Sequence, residues 1–392
     1  MFKSFYFAGF EGTCGWNRGH RWIDQIASTQ HDRYVHEDYQ RLRDVGLLAA
    51  REAVRWPVVD QEGRYDFRSV NPMLEASRHH GVEVIWDLFH YGYPAELDPF
   101  SEEFTRRFAD YCHAAAKHLS HGHCGPHYFT PVNEPSFLAW AAGDAARFAP
   151  HRTGCGRDLK IALIRAAIAG IDAIRAAVPG ARIVNVDPIC NIVPPFDRPD
   201  LTAEAADFNF NAVFESWDML SGRLYPELGG SLGHLDIVGV NYYWTNEWEM
   251  GREETPLALD DPRRLPISEL LQRVWERYGA EILLTETAHV GDMRPQWLRC
   301  IGTEAERALS LGLPLRGVCL YPVLGMPEWH EPDTWVRMGL WDLVARDGRL
   351  ARELHLPSYA ALREAQQRHE AFPRAALNET PAPPLSVRAE PE

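Results

Sequence analysis

The sequence predicts an α/β protein built on a single (β/α)8 TIM barrel. Short apolar segments alternate with longer segments of helical periodicity, and eight such apolar segments occur along the chain. The length of 392 residues accommodates a barrel of about 250 residues with loop insertions. A doubly wound sheet is the alternative, but no GxGxxG loop follows an early strand. These observations favour the closed barrel.

The first half of the chain supplies five predicted strands, which are Phe5–Phe10, Leu47–Val54, Val82–Phe89, His127–Val132 and Ala181–Val186. Helical periodicity fills the segments between them, at His36–Val45, Asn71–His80, Glu102–Leu119 and Leu159–Val178. Gly81 ends the second of these helices, because glycine readily adopts the left-handed conformation that closes a helix. Pro179 and Gly180 separate the fourth helix from the fifth strand.

The second half supplies three more predicted strands, Leu235–Tyr243, Glu281–Thr285 and Gly317–Tyr321. A predicted helix at Ile267–Tyr278 precedes the seventh strand. We therefore expect residues 1–372 to form one barrel domain. Residues 373–392 are rich in Pro, Ala and Glu and have little to bury, so they predict a disordered tail.

The charge of the chain excludes one class of partner. The formal net charge is −15 and no basic run occurs, whereas a nucleic-acid surface needs clustered Lys and Arg. No run of 18 apolar residues and no apolar leader is present, which predicts no membrane partner and a cytoplasmic location. We expect a small-molecule substrate, and a homo-oligomer is compatible with the sequence.

The cysteines predict neither disulfides nor a metal site. Their number is seven, they are scattered, and no CxxC pair occurs among them. The sequence also lacks a His/Cys cluster with metal-ligand spacing. We therefore expect no metal and no organic cofactor.

Two glutamates stand where a barrel carries its active site, at the carboxyl ends of strands. Glu134 follows the fourth predicted strand in FTPVNEP, and Glu286 follows the seventh in ILLTETA. Either one alone could be a helix cap or an ion-pair partner. Together they supply what glycoside cleavage needs, since one carboxyl protonates the leaving oxygen and the other attacks the anomeric carbon.

The segments around both glutamates resemble a known enzyme family. TPVNEP resembles the TxNEP acid/base signature of glycoside hydrolase family 1, a β-glucosidase family of clan A, and LLTETA is similar to its nucleophile motif ITENG. Further similarity extends from Phe7 to about Leu350. The resemblance implies that Glu134 is the catalytic acid/base and that Glu286 is the nucleophile.

The resemblance also implies supporting residues. Arg51 in REAVRWPVV resembles the arginine that hydrogen-bonds the nucleophile, and a cation there would keep Glu286 ionised. Asn241 and Tyr243 in DIVGVNYY resemble the strand-six pair whose tyrosine donates to the nucleophile. Four further residues resemble sugar-binding positions of the family: His90, Asn133, Glu328 and Trp329.

The sequence departs from the family pattern at positions that hold the sugar. The first-strand loop GFEGTCGWN lacks the usual Gln, and Glu11 or Asn17 is available in its place. Tyr91 follows His90 where the family has Trp, and Tyr321 stands at the position of the strand-eight Trp platform. The groups that cleave the bond are thus retained, while the identity of the sugar is open.

The sequence as a whole indicates an exo-acting, retaining β-glycosidase that hydrolyses small β-linked glycosides through a covalent glycosyl-enzyme. A transglycosylase is one alternative, because an acceptor hydroxyl can intercept the same intermediate. A sugar-binding pseudoenzyme that has lost turnover is another.

Overall fold

Eight parallel strands close into a barrel in the computed structural model, which describes residues 2–122, 125–252 and 255–372. In chain order, the strands β1 to β8 are Tyr6–Gly9, Ala49–Ala53, Glu83–Asp87, Tyr128–Thr130, Arg182–Pro188, Ile237–Asn241, Glu281–Thr287 and Leu315–Leu320. Each strand pairs with its sequence neighbours, and β8 pairs with β1 to complete the ring. The predicted fold class is confirmed, while the predicted tail at 373–392 lies outside the described residues.

Ten helices of six residues or more are found in the described residues and surround or cap the barrel. In chain order, α1 to α10 are His31–Asp44, Asn71–His80, Glu102–Ser120, Pro135–Gly143, Gly156–Ala177, Thr202–Phe210, Glu215–Leu220, Ile267–Tyr278, Arg294–Ser310 and Leu356–Ala371. Single helical turns occur at Gln25–Ser28, Trp56–Val59, Phe67–Ser69, Pro199–Leu201, Ala212–Phe214, Pro226–Leu228, Leu232–His234 and Gly291–Met293.

Within the described ranges, five small two-stranded sheets lie outside the barrel. Their strand pairs are Cys14–Trp16 with Trp22–Asp24, Asp60–Gln61 with Arg64–Tyr65, Asn191–Val193 with Glu247–Glu249, Met326–Pro327 with Trp335–Val336, and Trp341–Arg346 with Arg349–Leu354. The first of them is an antiparallel hairpin after β1, and its Cys14 packs against Gly92, which follows β3.

The predicted helices agree with the structure except at their ends. The helices at Asn71–His80 and Ile267–Tyr278 have the predicted bounds, but α1 begins at His31 instead of His36. Its first turn is separated from the rest by a kink at Tyr34, where φ is −120° and ψ is 21°. Helix α4 lacks a sequence prediction because PSFLAWAAG is apolar on nearly all sides and shows no 3.6-residue period.

The barrel interior has an apolar end and a polar end. Near the amino ends of the strands it is filled by apolar side chains that include Phe7, Ala49, Ile85, Ile237 and Leu283. Alternate strand residues face the same side, so Arg51, Asp87 and Asn241 also point inward, closer to the carboxyl ends. The polar side chains therefore lie directly above a layer of packed apolar side chains.

Several features are absent from the part of the chain that the structure describes. No helix there is long and apolar enough to cross a membrane. No group of three or more His, Cys, Asp or Glu side chains there is arranged to hold a metal ion. The six cysteines within these ranges are free.

Candidate active site

A β-bulge turns Glu286 into the barrel. Leu283 faces the interior, so strict alternation would place Glu286, three residues later, on the outer face. The register with β6 shifts, however: Leu284 pairs with Val240 and Glu286 with Asn241, which leaves Thr285 unpaired in the ladder. Strand β7 therefore extends to Thr287, two residues beyond the predicted end, and Glu286 lies within it instead of after it.

Both carboxylate oxygens of Glu286 accept a hydrogen bond. Arg51 Nη1 lies 2.7 Å from Oε1, and the Tyr243 hydroxyl lies 2.7 Å from Oε2. Glu286 is only 3% exposed. The two donors hold the carboxylate in one orientation inside the barrel mouth.

Arg51 connects Glu286 to the neighbouring strands. Its Nη2 donates to Asp87 Oδ2 at 2.9 Å and to Asn133 Oδ1 at 3.0 Å, and its Nη1 also donates to the Thr285 carbonyl at 3.0 Å. Burial acts to lower the pKa of Arg51, but the carboxylates of Glu286 and Asp87 raise it overall. The guanidinium therefore stays charged and connects β2 to β3, to β7 and to the segment that follows β4.

Glu134 lies at the start of α4, four residues after the end of β4. Its backbone is left-handed, with φ 48° and ψ 58°, and its amide donates to the Val186 carbonyl of β5 at 3.0 Å. Oε1 accepts a hydrogen bond from Asn241 Nδ2 at 2.9 Å, and Oε2 accepts one from the Tyr91 phenol. Pro135 then occupies the first turn of the helix, where its missing N–H costs nothing.

The two glutamates differ in environment. Burial raises the pKa of Glu134 to about 8, and the nearby Glu286 carboxylate adds to this rise. Glu286 accepts a hydrogen bond from the Arg51 guanidinium, whereas Glu134 accepts hydrogen bonds from the neutral side chains of Asn241 and Tyr91. One carboxyl is therefore suited to hold a proton near neutral pH, and the other is paired with a cation.

His90 and Glu11 lie together beside this pair. His90 Nδ1 is 3.0 Å from Asp87 Oδ2, and Nε2 is 3.5 Å from Glu11 Oε1. Burial acts to lower the pKa of His90, but Asp87 and Glu11 raise it to about 9. Burial raises the pKa of Glu11. Glu11 thus takes the position next to His90, whereas the Asn17 amide donates to the Trp329 carbonyl at 2.8 Å.

Tyr321 packs against two residues of the site, His90 and Arg51. Its ring stacks on that of His90 with centroids 6.0 Å apart, and the Arg51 guanidinium carbon lies 5.1 Å from its ring centroid. Gly9 makes room for this ring, because a Cβ there would lie 2.1 Å from Tyr321 Cδ2. The Gly12 amide donates to the Tyr321 hydroxyl at 3.2 Å.

Trp329 reaches the site, but the Glu328 carboxylate does not join its hydrogen-bond network. The Trp329 ring contacts Tyr91 edge-on at 5.8 Å, and its buried indole nitrogen has no partner among the described residues. The Glu328 carboxylate accepts from the backbone amides of His330 and Glu331 at 2.6 and 2.5 Å. The Glu328 carboxylate thus stabilises the turn that follows it, and its predicted role in sugar binding stays a prediction.

The sequence predictions assigned no role in the network to three of its residues. Asp87 binds both Arg51 and His90. Its side chain points inward because successive residues of a strand face opposite sides, so the sequence alone could have identified it. Thr285 forms the bulge and donates to Asn241 Oδ1 at 2.7 Å. Tyr91 donates to Glu134 from a left-handed backbone with φ 67°, for which its sequence context gives no signal.

Solved structures with this architecture are available for comparison. The family 1 β-glucosidase of Thermotoga maritima superposes with a TM-score of 0.74 at 17% sequence identity, covering 93% of this chain and 98% of that one. A complex of β-glucosidase from the same organism with glucoimidazole gives 0.76 at 16% identity, with the same coverage of both chains. A galacto-hydroximolactam complex gives 0.73 at 18%, again over 93% and 98% of the two chains.

The similarity is one of structure. No protein-family model matches the sequence, and no curated protein matches it. The chain has the barrel fold of the family 1 β-glucosidases over nearly its whole length, as the sequence resemblance implied.

Proposed function

We propose that this chain is a retaining glycoside hydrolase that acts on small β-linked glycosides, with Glu134 as acid/base and Glu286 as nucleophile. The observation that carries the proposal is the unequal environment of two buried carboxyl groups at one mouth of the barrel. Glu134 has a pKa of about 8, and Glu286 is hydrogen-bonded by a charged guanidinium. A proton donor beside an ionised carboxylate is the pair that this chemistry requires.

In the first step the proton of Glu134 passes to the glycosidic oxygen. The bond from the anomeric carbon to that oxygen breaks, and its electron pair stays on the leaving alcohol. A Glu286 oxygen forms a new bond to the anomeric carbon and gives a glycosyl ester of inverted configuration. Arg51 and Tyr243 keep Glu286 in place for this attack.

In the second step Glu134, now ionised, takes a proton from water. The water oxygen attacks the anomeric carbon, the ester bond to Glu286 breaks, and the carboxylate is regenerated. Two inversions give net retention. Asn241 contacts Glu134 and is the register partner of Glu286, so the two glutamates lie at the same mouth of the barrel, as this route requires.

The sugar is assigned to the space bounded by Glu11, His90, Asn133, Asn241, Tyr321 and Trp329. These side chains offer hydrogen-bonding groups and aromatic faces, which suit the hydroxyls and the apolar face of a sugar. The free indole N–H of Trp329 is a donor that a sugar hydroxyl would satisfy. Glu328 would have to leave its own turn to take part.

Burial of the reacting groups supports exo action on small substrates. Glu134 and Glu286 are 7% and 3% exposed, and such burial is more typical of a recess than of an open cleft. A chain end or a small glycoside fits a recess, whereas the middle of a polysaccharide does not. The step needs no metal or organic cofactor, because both proton transfer and attack are assigned to side chains.

A panel of aryl β-glycosides tests the proposal. Gluco, galacto, fuco, manno, xylo and glucurono substrates are incubated with the full chain, and the anomer first released is followed by proton NMR. Release of the β-anomer supports a retaining hydrolase, and release of the α-anomer rules it out. Added alcohol acceptors distinguish hydrolysis from transglycosylation, because a transglycosylase gives mainly the acceptor glycoside.

A further inference from the structure

Tyr91 and Glu134 form a contact that the steps above do not use. The Tyr91 phenol donates a hydrogen bond to Oε2 of Glu134. Both residues have a positive φ, 67° at Tyr91 and 48° at Glu134. Left-handed backbone is unfavourable for residues with a side chain. Two such residues joined by a hydrogen bond at the barrel mouth indicate a functional constraint.

The Tyr91 side chain is fixed from two sides. On one side its ring contacts three aromatic rings at centroid distances of 5.3, 5.5 and 5.8 Å, those of Phe137, Phe148 and Trp329. On the other side, a Cβ at Gly92 would lie 1.4 Å from the Cys14 carbonyl oxygen, so the backbone after Tyr91 packs directly on the first hairpin. The phenol therefore has one defined position relative to Glu134.

Asn241 determines which oxygen of Glu134 can carry a proton. Its Oδ1 accepts from the Thr285 hydroxyl at 2.7 Å, which leaves Nδ2 facing Oε1 of Glu134 at 2.9 Å. An amide NH2 group donates and does not accept, so Oε1 stays unprotonated while this bond exists. A phenol both donates and accepts. The proton of Glu134 therefore belongs on Oε2, beside Tyr91.

We propose that Tyr91 is a positioning residue for the general acid, and that it holds Oε2 of Glu134 as the oxygen that gives its proton to the leaving group. This inference rests on the proposed function. When Glu134 is ionised, the phenol donates to Oε2; when Glu134 is protonated, the phenol turns and accepts from it until the glycosidic oxygen takes over. Because the donated bond favours the ionised form, it keeps the pKa of Glu134 below the value that burial beside Glu286 alone would give.

Two changes of the phenol test the inference in opposite directions. Tyr91→Phe keeps the ring and removes the donor, so the pKa of Glu134 should rise by about one pH unit. Fluorotyrosine placed at position 91 keeps the shape and is a stronger donor, so the pKa should fall. Burial raises the pKa of the Tyr91 phenol well above its ordinary value, so it remains a donor during the titration.

The pKa is read directly from the full chain labelled with 13C at the glutamate carboxyl carbon. The Glu134 signal is identified by its loss in Glu134→Gln and is followed by NMR from acidic to alkaline pH. The alkaline limb of kcat/KM on the best aryl glycoside should move with the same sign. A merely structural role for Tyr91 would lower the rate at every pH and leave both values in place.

Tyr93→Phe is the matched control, because it removes a phenol from the same loop. The Tyr93 ring packs on Phe89 and Phe104 at 6.1 and 5.4 Å, away from the two glutamates. This variant should leave the Glu134 titration unchanged.

The inference is overturned if the pKa of Glu134 is unchanged or lowered in Tyr91→Phe. If that variant does not fold, an unchanged pKa of Glu134 in the fluorotyrosine protein overturns the inference instead. The NMR titration needs no substrate. If the wild type cleaves no glycoside but both variants shift the pKa of Glu134 as expected, the proposed function is wrong and the effect of Tyr91 on Glu134 stands. An active wild type without the shifts disproves only the inference.

Discussion

The Arg51 guanidinium donates a hydrogen bond to the Glu286 carboxylate at 2.7 Å across 235 positions of sequence. The same guanidinium bonds Asp87 and Asn133, so one buried cation links the proposed nucleophile to strands on the other side of the barrel interior. The position of Glu286 therefore depends on the barrel being closed, and not on local sequence alone.

Replacement of Arg51 should damage stability and activity together. Arg51→Met leaves the carboxylates of Asp87 and Glu286 buried without their cation, and breaking a buried pair costs about 3–5 kcal/mol. Arg51→Lys keeps the charge but cannot reproduce the two-pronged geometry, so it should lose less stability and still lose activity. Urea unfolding and kcat/KM of both variants test this. Full activity in Arg51→Met would show that Glu286 does not depend on the cation.

Loss of the Tyr243 hydroxyl should slow turnover. Tyr243→Phe removes one of the two donors to Glu286, and removal of one preorganised donor of this kind lowers kcat by roughly 100-fold or more. Tyr242→Phe is the control, because the Tyr242 hydroxyl donates instead to Glu247 at 2.6 Å. Steady-state kinetics of both variants on one aryl glycoside give the comparison. Equal rates in the two would remove Tyr243 from the mechanism.

The pH profile should have its alkaline limb near pH 8. The first step needs Glu134 protonated, and its raised pKa of about 8 keeps the proton through neutrality and releases it above that value. Activity should therefore decline as pH rises through about 8. The profile of kcat/KM measures this in the free enzyme. A limb near pH 4 or 5 would mean that Glu134 is not the acid or that its environment differs.

The buried His31 should make stability pH-dependent independently of catalysis. His31 lies between Asp38 at 2.9 Å and Glu52 at 3.0 Å; burial acts to lower its pKa, but the two carboxylates raise it to about 9. A raised histidine pKa gives stability that is complete below the unfolded value of about 6.5 and is lost as pH rises through the folded value. The free energy of unfolding should thus fall between these pH values.

The control for this effect is His31→Gln, which should be less stable than wild type at pH 6 and should lack the decline. Urea unfolding of both proteins across this pH range makes the comparison. An identical decline in the variant would assign the pH dependence to other groups.

Much of the fold could be predicted because it depends on local periodicity. Alternation of apolar runs and helical segments along the chain predicts all eight strands. The two-residue period within each strand turns the side chains of Arg51 and Asn241 inward. The direction of Glu286 could not be obtained this way, because it depends on a bulge at Thr285 that is visible only in the register with β6. The contact between Tyr91 and Glu134 was not predicted, because both residues have left-handed backbone there.

Chemical rescue tests the central claim most directly. Glu286→Ala and Glu134→Ala are assayed on an activated aryl β-glycoside with and without azide, and the products are identified by NMR. We predict that Glu286→Ala is inactive alone and that azide restores turnover to the α-glycosyl azide, since azide then attacks from the side that Glu286 has left. Glu134→Ala should instead give the β-glycosyl azide. Two results would contradict the assignment of Glu286 as nucleophile. One is that Glu286→Ala without azide turns over as fast as the wild type, and the other is that this variant forms the β-glycosyl azide.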